Sequence, residues 1–489
     1  MDITAITKKR IDKILSSPDE IKISGTVYYV ANDGDDANDG KSEKTPWKTL
    51  KRVSDAELLA GDGVLFKRGD LFRGNVMAKA GVTYAAYGEG DKPKFYTGDK
   101  DYADASLWEQ TEENIWHLKE KILDVGTLVF NGGEKHSVKL IPSYINGKFV
   151  CRDDESRLFD FKTEAVRDLD VYWYFEDELT TKPSKGEDFP IPDTKGGGKG
   201  DIYLRCDAGN PGEVFDSIEA VCALNMFKVG QNENVTIDNL CIKYVGRHGV
   251  SAGGNCVRGL KVTNCEFGWI GGAIQHYFGT DPNYPQGGRG TVTRYGNAIE
   301  IYGGCDGYEA SGNYIYEVYD AGITHQVSTG GKIYNMKNIR YLDNVIEKCV
   351  YGIEYFLDDN SGDTDSIMQN VVMSGNIIRT SGYGWGQQRH NTDTPALIKG
   401  WSYVNNARDY KICDNIFDRC AYRLLHLVAR DKKSLPEMSG NTYIQTNGGM
   451  LGQFGANCER EPDIEIFDDS AAQKIRDIFC DEDAKVYIL

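Results

Sequence analysis

The sequence predicts an all-β fold, a parallel β-helix in which short coils stack into a solenoid. A sequence motif recurs in the chain: an Asn, apolar residues, a short polar turn and then a small residue followed by an apolar one. Most copies are 25 to 39 residues apart, a period typical of stacked repeats. The repeated runs are short and β-like, and no amphipathic helix of ten or more residues separates them. The 55 glycines also fit a turn-rich β protein.

Each copy of this sequence motif begins with an asparagine. Asn tolerates a left-handed backbone and can bond to its own main chain, which suits a corner between strands. We expect the asparagines to stack from coil to coil as a polar ladder. The gap after the second of them leaves room for an extra turn at 296–302. The asparagines are Asn239, Asn264, Asn313, Asn344, Asn376, Asn415 and Asn441.

The chain before and after the repeats divides into four segments. Residues 1–24 predict a short polar helix that caps the first coil, because an open solenoid end exposes unpaired strand edges. Residues 25–105 predict the first coils. Residues 106–215 interrupt the repeat pattern and predict a small antiparallel β insertion. The main β-helix with its active face then occupies 216–455. Residues 456–489 predict a second cap with a short helix.

One stretch of the first coils has a specific resemblance. Between residues 27 and 90 the chain reads Tyr-Val, Gly-x-Asp, Asn-Asp-Gly, Thr-Pro-Trp-Lys-Thr-Leu and Gly-Asp-x-Val-Leu-Phe. This order resembles the N-terminal coils of right-handed β-helix carbohydrate-active proteins of the pectate-lyase-like superfamily, which includes xylosidases, lacto-N-biosidases and polysaccharide lyases. The resemblance implies a right-handed coil and a carbohydrate ligand. No single family's catalytic motif matches residue by residue.

Charge and composition exclude several classes of partner. The net charge of −18 argues against nucleic acid and anionic membranes, and no apolar run is long enough to span a bilayer. The N-terminus lacks the apolar core of a secretory signal, and the twelve cysteines are scattered without zinc spacing, so we expect a reduced, cytoplasmic protein. We expect no cofactor; the acidic loop Asp33–Asp39 fits either structural calcium or a solvated turn. A homo-oligomer is left open.

Aligning the small–apolar pairs predicts one exposed face. Ile274, Ile299, Ile323, Ile353 and Trp385 align as inward residues, and strand alternation sends their neighbours outward. Carboxylates, amides and aromatic rings on one flat surface suit sugar rings. The outward neighbours are Gln275, Glu300, Thr324, Glu354 and Gly386, followed two positions later by Tyr277, Tyr302, Gln326, Phe356 and Gln388.

Three acids are the catalytic candidates, because glycoside hydrolysis needs two carboxyl groups flanking the scissile bond. Glu300 and Glu354 are two coils apart, roughly 9–10 Å between Cα atoms at the spacing of neighbouring strands. Asp320 has the same parity on the coil between them, but only a bend at Asp320-Ala-Gly would bring it near. The alternative for each acid is a solvated or turn-capping carboxylate.

The remaining binding candidates surround this face. Trp385 is a further candidate for contact with a sugar. Asp358 is another candidate and lies in a loop after the Glu354 strand. Arg389 and His390 end their strand in a polar loop. His325 follows Thr324 and is a binding candidate, although strict alternation turns it inward as a core histidine.

The sequence therefore favours a glycoside hydrolase acting on an oligosaccharide. A polysaccharide lyase or epimerase on a uronate glycan ranks second, because the predicted face contributes no Lys and Arg389 is its main cation. A non-catalytic glycan-binding β-helix is the third alternative.

Overall fold

The computed structural model shows a chain wound into stacked parallel coils. It describes residues 2–139, 141–143, 148–150, 158–159, 173–177, 180–181, 189–190, 199–278, 291–358, 365–388, 395–401, 406–429, 434–456, 464–465 and 471–489. The coils have three walls, and apolar side chains from all three fill one continuous core. The register of successive strands confirms the predicted parallel β-helix.

The first wall carries the face that the sequence predicts as the active one. Its strands are Val76–Met77, Phe227–Gly230, the first halves of Val250–Thr263 and Ile299–Ser311, Ala321–Ser328, Tyr351–Asp358, Ala396–Gly400, Arg423–Ala429, Met450–Ala456 and the antiparallel Ile464–Glu465.

The second wall is continuous with the first through the two long strands that run across both. Its strands are Val27–Val30, Gly63–Lys67, Thr83–Tyr87, Thr236–Asp238, the second halves of Val250–Thr263 and Ile299–Ser311, Asn335–Leu342, Ile367–Ser374, Ala407–Cys413 and Glu437–Ser439.

The third wall closes each coil. Its strands are Leu71–Arg73, Lys94–Tyr96, Val125–Phe130, Lys135–His136, Ile218–Cys222, Cys241–Val245, Glu266–Ile270, Tyr314–Val318, Val345–Glu347, Ile377–Ser381, Ile416–Cys420, Thr442–Gln445 and Lys485–Ile488.

A ladder of buried asparagines joins the coils at the corner before the third wall. Asn376 is typical: its Oδ1 accepts the backbone and side-chain N–H groups of Asn344 at 3.0 and 2.9 Å, and its Nδ2 donates to Tyr341 O at 2.8 Å. The expected Asn stacking is therefore confirmed. The ladder runs through Asn313, Asn344, Asn376, Asn415 and Asn441 and ends on Asp481.

The left-handed corner lies one residue earlier than the sequence predicts. Gly312 (φ 63°) and Asp343 (φ 55°) adopt it, each just before a ladder asparagine. Asn239 and Asn264 occupy this left-handed position themselves, so the ladder position beside Asn264 is Cys265, whose N–H donates to Asn313. The left-handed residue turns the chain, and the next side chain can then point inward.

Helices are few and short. They are Ile3–Leu15, Leu50–Asp55, Pro211–Val214 and Ala471–Phe479, with 3₁₀ turns at Ala105–Leu107, Asn131–Gly133 and Trp385–Gln388. The N-terminal helix does not cap the first coil as predicted. It lies along the third wall, because Ile14 packs on Val345 and Ile377 and Arg10 pairs with Asp343 at 2.9 Å. No helix within the described residues has both the length and the apolar character needed to cross a bilayer.

The segment predicted as an insertion contains a separate small sheet. Within it, a buried Lys139–Asp124 ion pair lies against the strand Ala273–Phe278, since the other Asp124 oxygen accepts the N–H of Ile274 at 2.6 Å. The strands are Trp108–Glu112, Ile115–Leu118, Ile122–Leu123, Val138–Lys139, Trp173–Asp177 and Lys199–Arg205. Smaller groups in this segment are Ile141–Ser143, Lys148–Val150 and Leu158–Phe159, and Thr180–Thr181 with Phe189–Pro190. A separate hairpin outside it pairs Ala273–Phe278 with Thr291–Tyr295.

Candidate active site

A row of polar side chains crosses the first wall where the sequence predicts the active face. Ile299 and Ile301 beside Glu300, and Ile353 and Tyr355 beside Glu354, lie in the core, so the row points outward. We call it the polar row. In strand order it is Ser251, Glu300, Thr324, Glu354, Lys399, His426 and Gln453. The predicted alignment of Ile299, Ile323 and Ile353 is thus confirmed.

Although it faces away from the core, the polar row is shielded from water. Glu300, Glu354 and Lys399 are 7%, 6% and 3% exposed. Burying a charge is costly unless it is paired and hydrogen-bonded. A wall that was merely solvated would leave these groups in water, so their burial indicates a site with local partners for each charge.

Glu300 lies against a histidine. One of its carboxyl oxygens is 2.5 Å from Nδ1 of His248 and 3.3 Å from Nδ2 of Asn297. The Oδ1 of Asn297 in turn accepts the N–H of Ala321 at 2.9 Å, which ties this group to the next strand of the wall. These contacts fix the carboxyl group at one side of Thr324.

Glu354 lies on the other side of Thr324 and has a different environment. The indole Nε1 of Trp401 donates to its Oε1 at 2.5 Å. Lys399, its neighbour in the polar row, places Nζ 4.1 Å from the Trp401 ring and 5.6 Å from the Tyr351 ring, within cation–π range. The two glutamates therefore face unlike groups: a histidine beside Glu300, and an indole N–H and a lysine beside Glu354.

Two positive charges lie near the far end of the polar row, on Lys399 and Arg423. Burial, together with the positive charges of Lys399 and Arg423, lowers the pKa of His426, which is therefore neutral at physiological pH. Arg423 donates to Gln453. Along the polar row, Lys399 therefore follows the two glutamates, and the members beyond it are neutral.

Asp320 stands apart from this pair. It is buried, and its carbonyl accepts the N–H groups of Val350 and Tyr351, both at 3.1 Å. The bend that would bring it toward Thr324 does not form, because the strand runs unbroken from Ala321 with its register intact. It therefore stays about 13 Å along the strand from Thr324.

Two segments predicted to belong to the face lie elsewhere. Gln275 and Tyr277 are on the strand Ala273–Phe278, which forms an antiparallel hairpin, and Ser251 takes their place in the polar row. Gln275 is exposed. The hairpin begins with the same small–apolar pair as a true coil, which explains the misalignment.

The second misplaced segment is the 3₁₀ turn Trp385–Gln388. Trp385 is buried and donates from Nε1 to the Glu317 carbonyl at 2.8 Å, while Gln388 is buried and contacts Lys139 and Ser137. Both are packing residues here, and Lys399 fills the predicted position in the polar row.

His325 lies in the core and is not on the face. It is fully buried, its Nδ1 lies 2.8 Å from the Tyr341 hydroxyl, and its Nε2 lies 3.2 Å from that of Tyr410. Burial lowers its pKa to about 3. This corrects its assignment as a binding residue and agrees with the alternation that turned it inward.

Other predicted residues remain beside the polar row. In the outward row two positions later, Tyr302 is 44% exposed, Gln326 is buried and Phe356 is half-buried, and they pair in register. Asp358 ends the same strand as Glu354. Arg389 and His390 lie outside the described residues.

Sequence reasoning missed Lys399, His248 and His426. A signal for Lys399 exists: Ala396-Leu-Ile-Lys repeats the small residue, apolar residues and outward polar residue of Ala298-Ile-Glu. His248 precedes a small–apolar pair, Gly249-Val250, in the same way that Asn297 does.

The acidic loop Asp33–Asp39, which fits either structural calcium or a solvated turn, uses its carboxylates locally. Asp36 accepts from the backbone N–H and hydroxyl of Thr49, Asp39 accepts from Thr45, and Asp33 pairs with Lys67 at 3.1 Å. Among the residues the structure describes, no group of three or more His, Cys, Asp or Glu side chains is arranged to hold a metal ion.

Known proteins resemble this chain in sequence or in fold. A segment of 110 residues is 38% identical to a lacto-N-biosidase from Bifidobacterium longum subsp. longum, covering 20% of this chain and only 7% of that protein. Among solved structures, the complex of XylC with xylose has 13% identity, 88% and 68% coverage of the two chains and a TM-score of 0.49.

A GH136 lacto-N-biosidase from Eubacterium ramulus has 12% identity, 95% and 68% coverage and a TM-score of 0.38. No protein-family model matches the chain. The lacto-N-biosidase match and the stacked coils confirm the predicted resemblance to carbohydrate-active proteins of the parallel β-helix fold.

Proposed function

We propose that this protein is a glycosidase that cleaves an oligosaccharide with Glu300 and Glu354 as its two carboxyl groups. The observation that carries the proposal is their placement: both are on the polar row of the first wall, separated by one strand. The sequence similarity to a lacto-N-biosidase supports the same class of substrate.

The spacing favours inversion of the anomeric centre. Two strand spacings separate the glutamates, which puts their Cα atoms roughly 9–10 Å apart. Inverting enzymes hold their carboxyl groups about 6.5–9.5 Å apart to admit a water, whereas retaining enzymes need about 5–5.5 Å. Thr324 is the residue between them, and it is fully buried. The exposed ring of Tyr302 offers a flat surface for a neighbouring sugar.

A polysaccharide lyase is the second candidate, and one observation favours it. Lysine was the group that the predicted face lacked, and the structure places Lys399 in the polar row, with Arg423 nearby. A lyase abstracts a proton α to a uronate carboxylate, which a buried lysine can accept once it is deprotonated.

The first experiment is an assay of purified protein on aryl glycosides, neutral oligosaccharides and uronate glycans. Glu300→Gln and Glu354→Gln are compared with Glu309→Gln, a matched control on the same strand as Glu300 but on the second wall. Loss of general acid or base catalysis costs about 10²–10⁴-fold in rate. We expect that loss in the first two variants and unchanged hydrolysis in the control, with the product formed as the inverted anomer by NMR.

Other outcomes separate the alternatives. Hydrolysis that survives in both glutamate variants would refute the assignment. An unsaturated, ultraviolet-absorbing uronate product that is lost in Lys399→Met would establish the lyase. Glycan binding without any product would leave a binding protein.

A further inference from the structure

Lys399 and Trp401 form one unit around Glu354. Lys399 is the residue paired with Glu354 on the next strand, about 4.8 Å away, and it is 3% exposed. Its ammonium group lies 4.1 Å from the centre of the Trp401 ring. The same indole donates its N–H to Glu354 at 2.5 Å. Trp401 thus contacts the carboxyl group through its edge and the lysine through its face.

These contacts favour the ionised form of Glu354. An indole N–H is a donor only, so the carboxyl oxygen it meets must accept. A neighbouring ammonium group favours a carboxylate for Coulombic reasons, and a buried site strengthens the effect. The other charged or titratable groups along the polar row are Glu300, Arg423 and His426, with Asp320 further along the Thr324 strand. His426 is neutral because burial lowers its pKa.

The environment of Glu300 is different. One of its carboxyl oxygens lies 2.5 Å from Nδ1 of His248 and accepts from Nδ2 of Asn297 at 3.3 Å. Within the described part of the chain, neither an indole nor a lysine is its hydrogen-bond or ion-pair partner. Two carboxyl groups in such unlike surroundings suit the acid and the base of one reaction.

We propose that Lys399 and Trp401 are positioning residues that hold Glu354 as the catalytic base, while Glu300 serves as the acid; this inference rests on the proposed glycosidase function. In the reaction, water attacks the anomeric carbon and transfers a proton to Glu354. The glycosidic C–O bond breaks, and Glu300 protonates the leaving oxygen. The overall reaction consumes one water, and the two protons are re-equilibrated with solvent after release.

The test is the pH profile of kcat/KM for three variants at the unit. Lys399→Met removes the charge at similar length, Lys399→Arg keeps it, and Trp401→Phe keeps a ring but removes the N–H. We expect the acidic limb of the profile to move upward by about one pH unit or more in Lys399→Met and Trp401→Phe, because the base is then ionised only at higher pH. Lys399→Arg should stay near the parent profile, as should Lys411→Met, an exposed control.

Two results would overturn the inference. The first is an acidic limb that does not move in Lys399→Met or Trp401→Phe while Glu354→Gln is inactive; a lower kcat alone would then reflect structure or substrate binding. The second is a limb that moves equally in Lys399→Arg. Failure of the glycosidase proposal looks different, because hydrolysis would persist in Glu354→Gln. If Lys399→Met does not fold, Trp401→Phe decides.

Discussion

Acid should weaken the coils through His325, the histidine buried between Tyr341 and Tyr410. Its pKa is about 3 in the folded chain because burial disfavours the charged ring, against 6.5 when the chain is unfolded. The unfolded chain therefore binds the proton more readily, and stability that is complete above pH 6.5 is lost as the pH falls toward 3. At about 1.36 kcal/mol per pH unit the full loss is about 5 kcal/mol, of which about 2 kcal/mol is gone by pH 5.

The assay is urea unfolding of the parent and His325→Gln at about pH 7.5 and about pH 5. The variant keeps a polar group for the two tyrosine hydroxyls but does not titrate. It should be less stable than the parent at the higher pH, and the difference should shrink by about 2 kcal/mol at the lower one. Comparing the two proteins at each pH cancels the acid sensitivity that carboxylates give to both.

His117 is the control with the opposite sign. Burial works against its proton, but hydrogen bonds to Glu109 and Asp201 outweigh that effect and raise its pKa. Its contribution is therefore present at low pH and lost as the pH rises, so the difference between the parent and His117→Gln should grow in acid. A difference for His325→Gln that is the same at both pH values would refute the assignment of a neutral core histidine.

Two further predictions concern stability. Asn376→Ala should lower the free energy of unfolding by about 3 kcal/mol, since it leaves the partners of a fully buried amide unsatisfied. The control Asn447→Ala, in an exposed turn, should change it by less than about 0.5 kcal/mol. Equal urea midpoints for the two variants would contradict a structural role of the ladder. Lys139→Met should lower the free energy of unfolding by about 3–5 kcal/mol because Asp124 is left buried and charged. Adding Asp124→Asn should restore much of that stability. Thermal unfolding that is unaffected by the single change would show that the pair is not buried as described.

Much of the solenoid could be predicted because its repeats must satisfy the same requirement in every coil. A buried amide needs partners, and an identical amide one coil away supplies them, so ladder positions such as Asn344 and Asn376 are visible in the sequence. The offset at Asn264 could not be seen. Asn serves both the left-handed corner and the ladder, and only the backbone dihedrals distinguish the two.

The site was predictable only where consecutive coils have similar lengths. Glu300, Thr324 and Glu354 align because short connections separate their strands. Between Glu354 and Lys399 the chain adds a 3₁₀ turn whose Tyr383-Gly-Trp imitates the repeat, and the true strand starts later, at Ala396. Local pattern cannot separate the two, because what selects the strand is pairing with Tyr351 and Ile353 on the previous coil.

The same stacking produces both the ladder and the polar row, and the difference between them is in the residues. Along the ladder every coil repeats one amide, so each position meets its own kind and the result is stability. Along the polar row, neighbouring coils place unlike groups side by side, as with Glu354 next to Lys399. Unlike neighbours under shared burial are driven toward different protonation states, which acid–base catalysis requires. A uniform row would give this wall only another ladder, whereas the mixed row, with a glutamate on each side of Thr324, makes this wall the place where chemistry is expected.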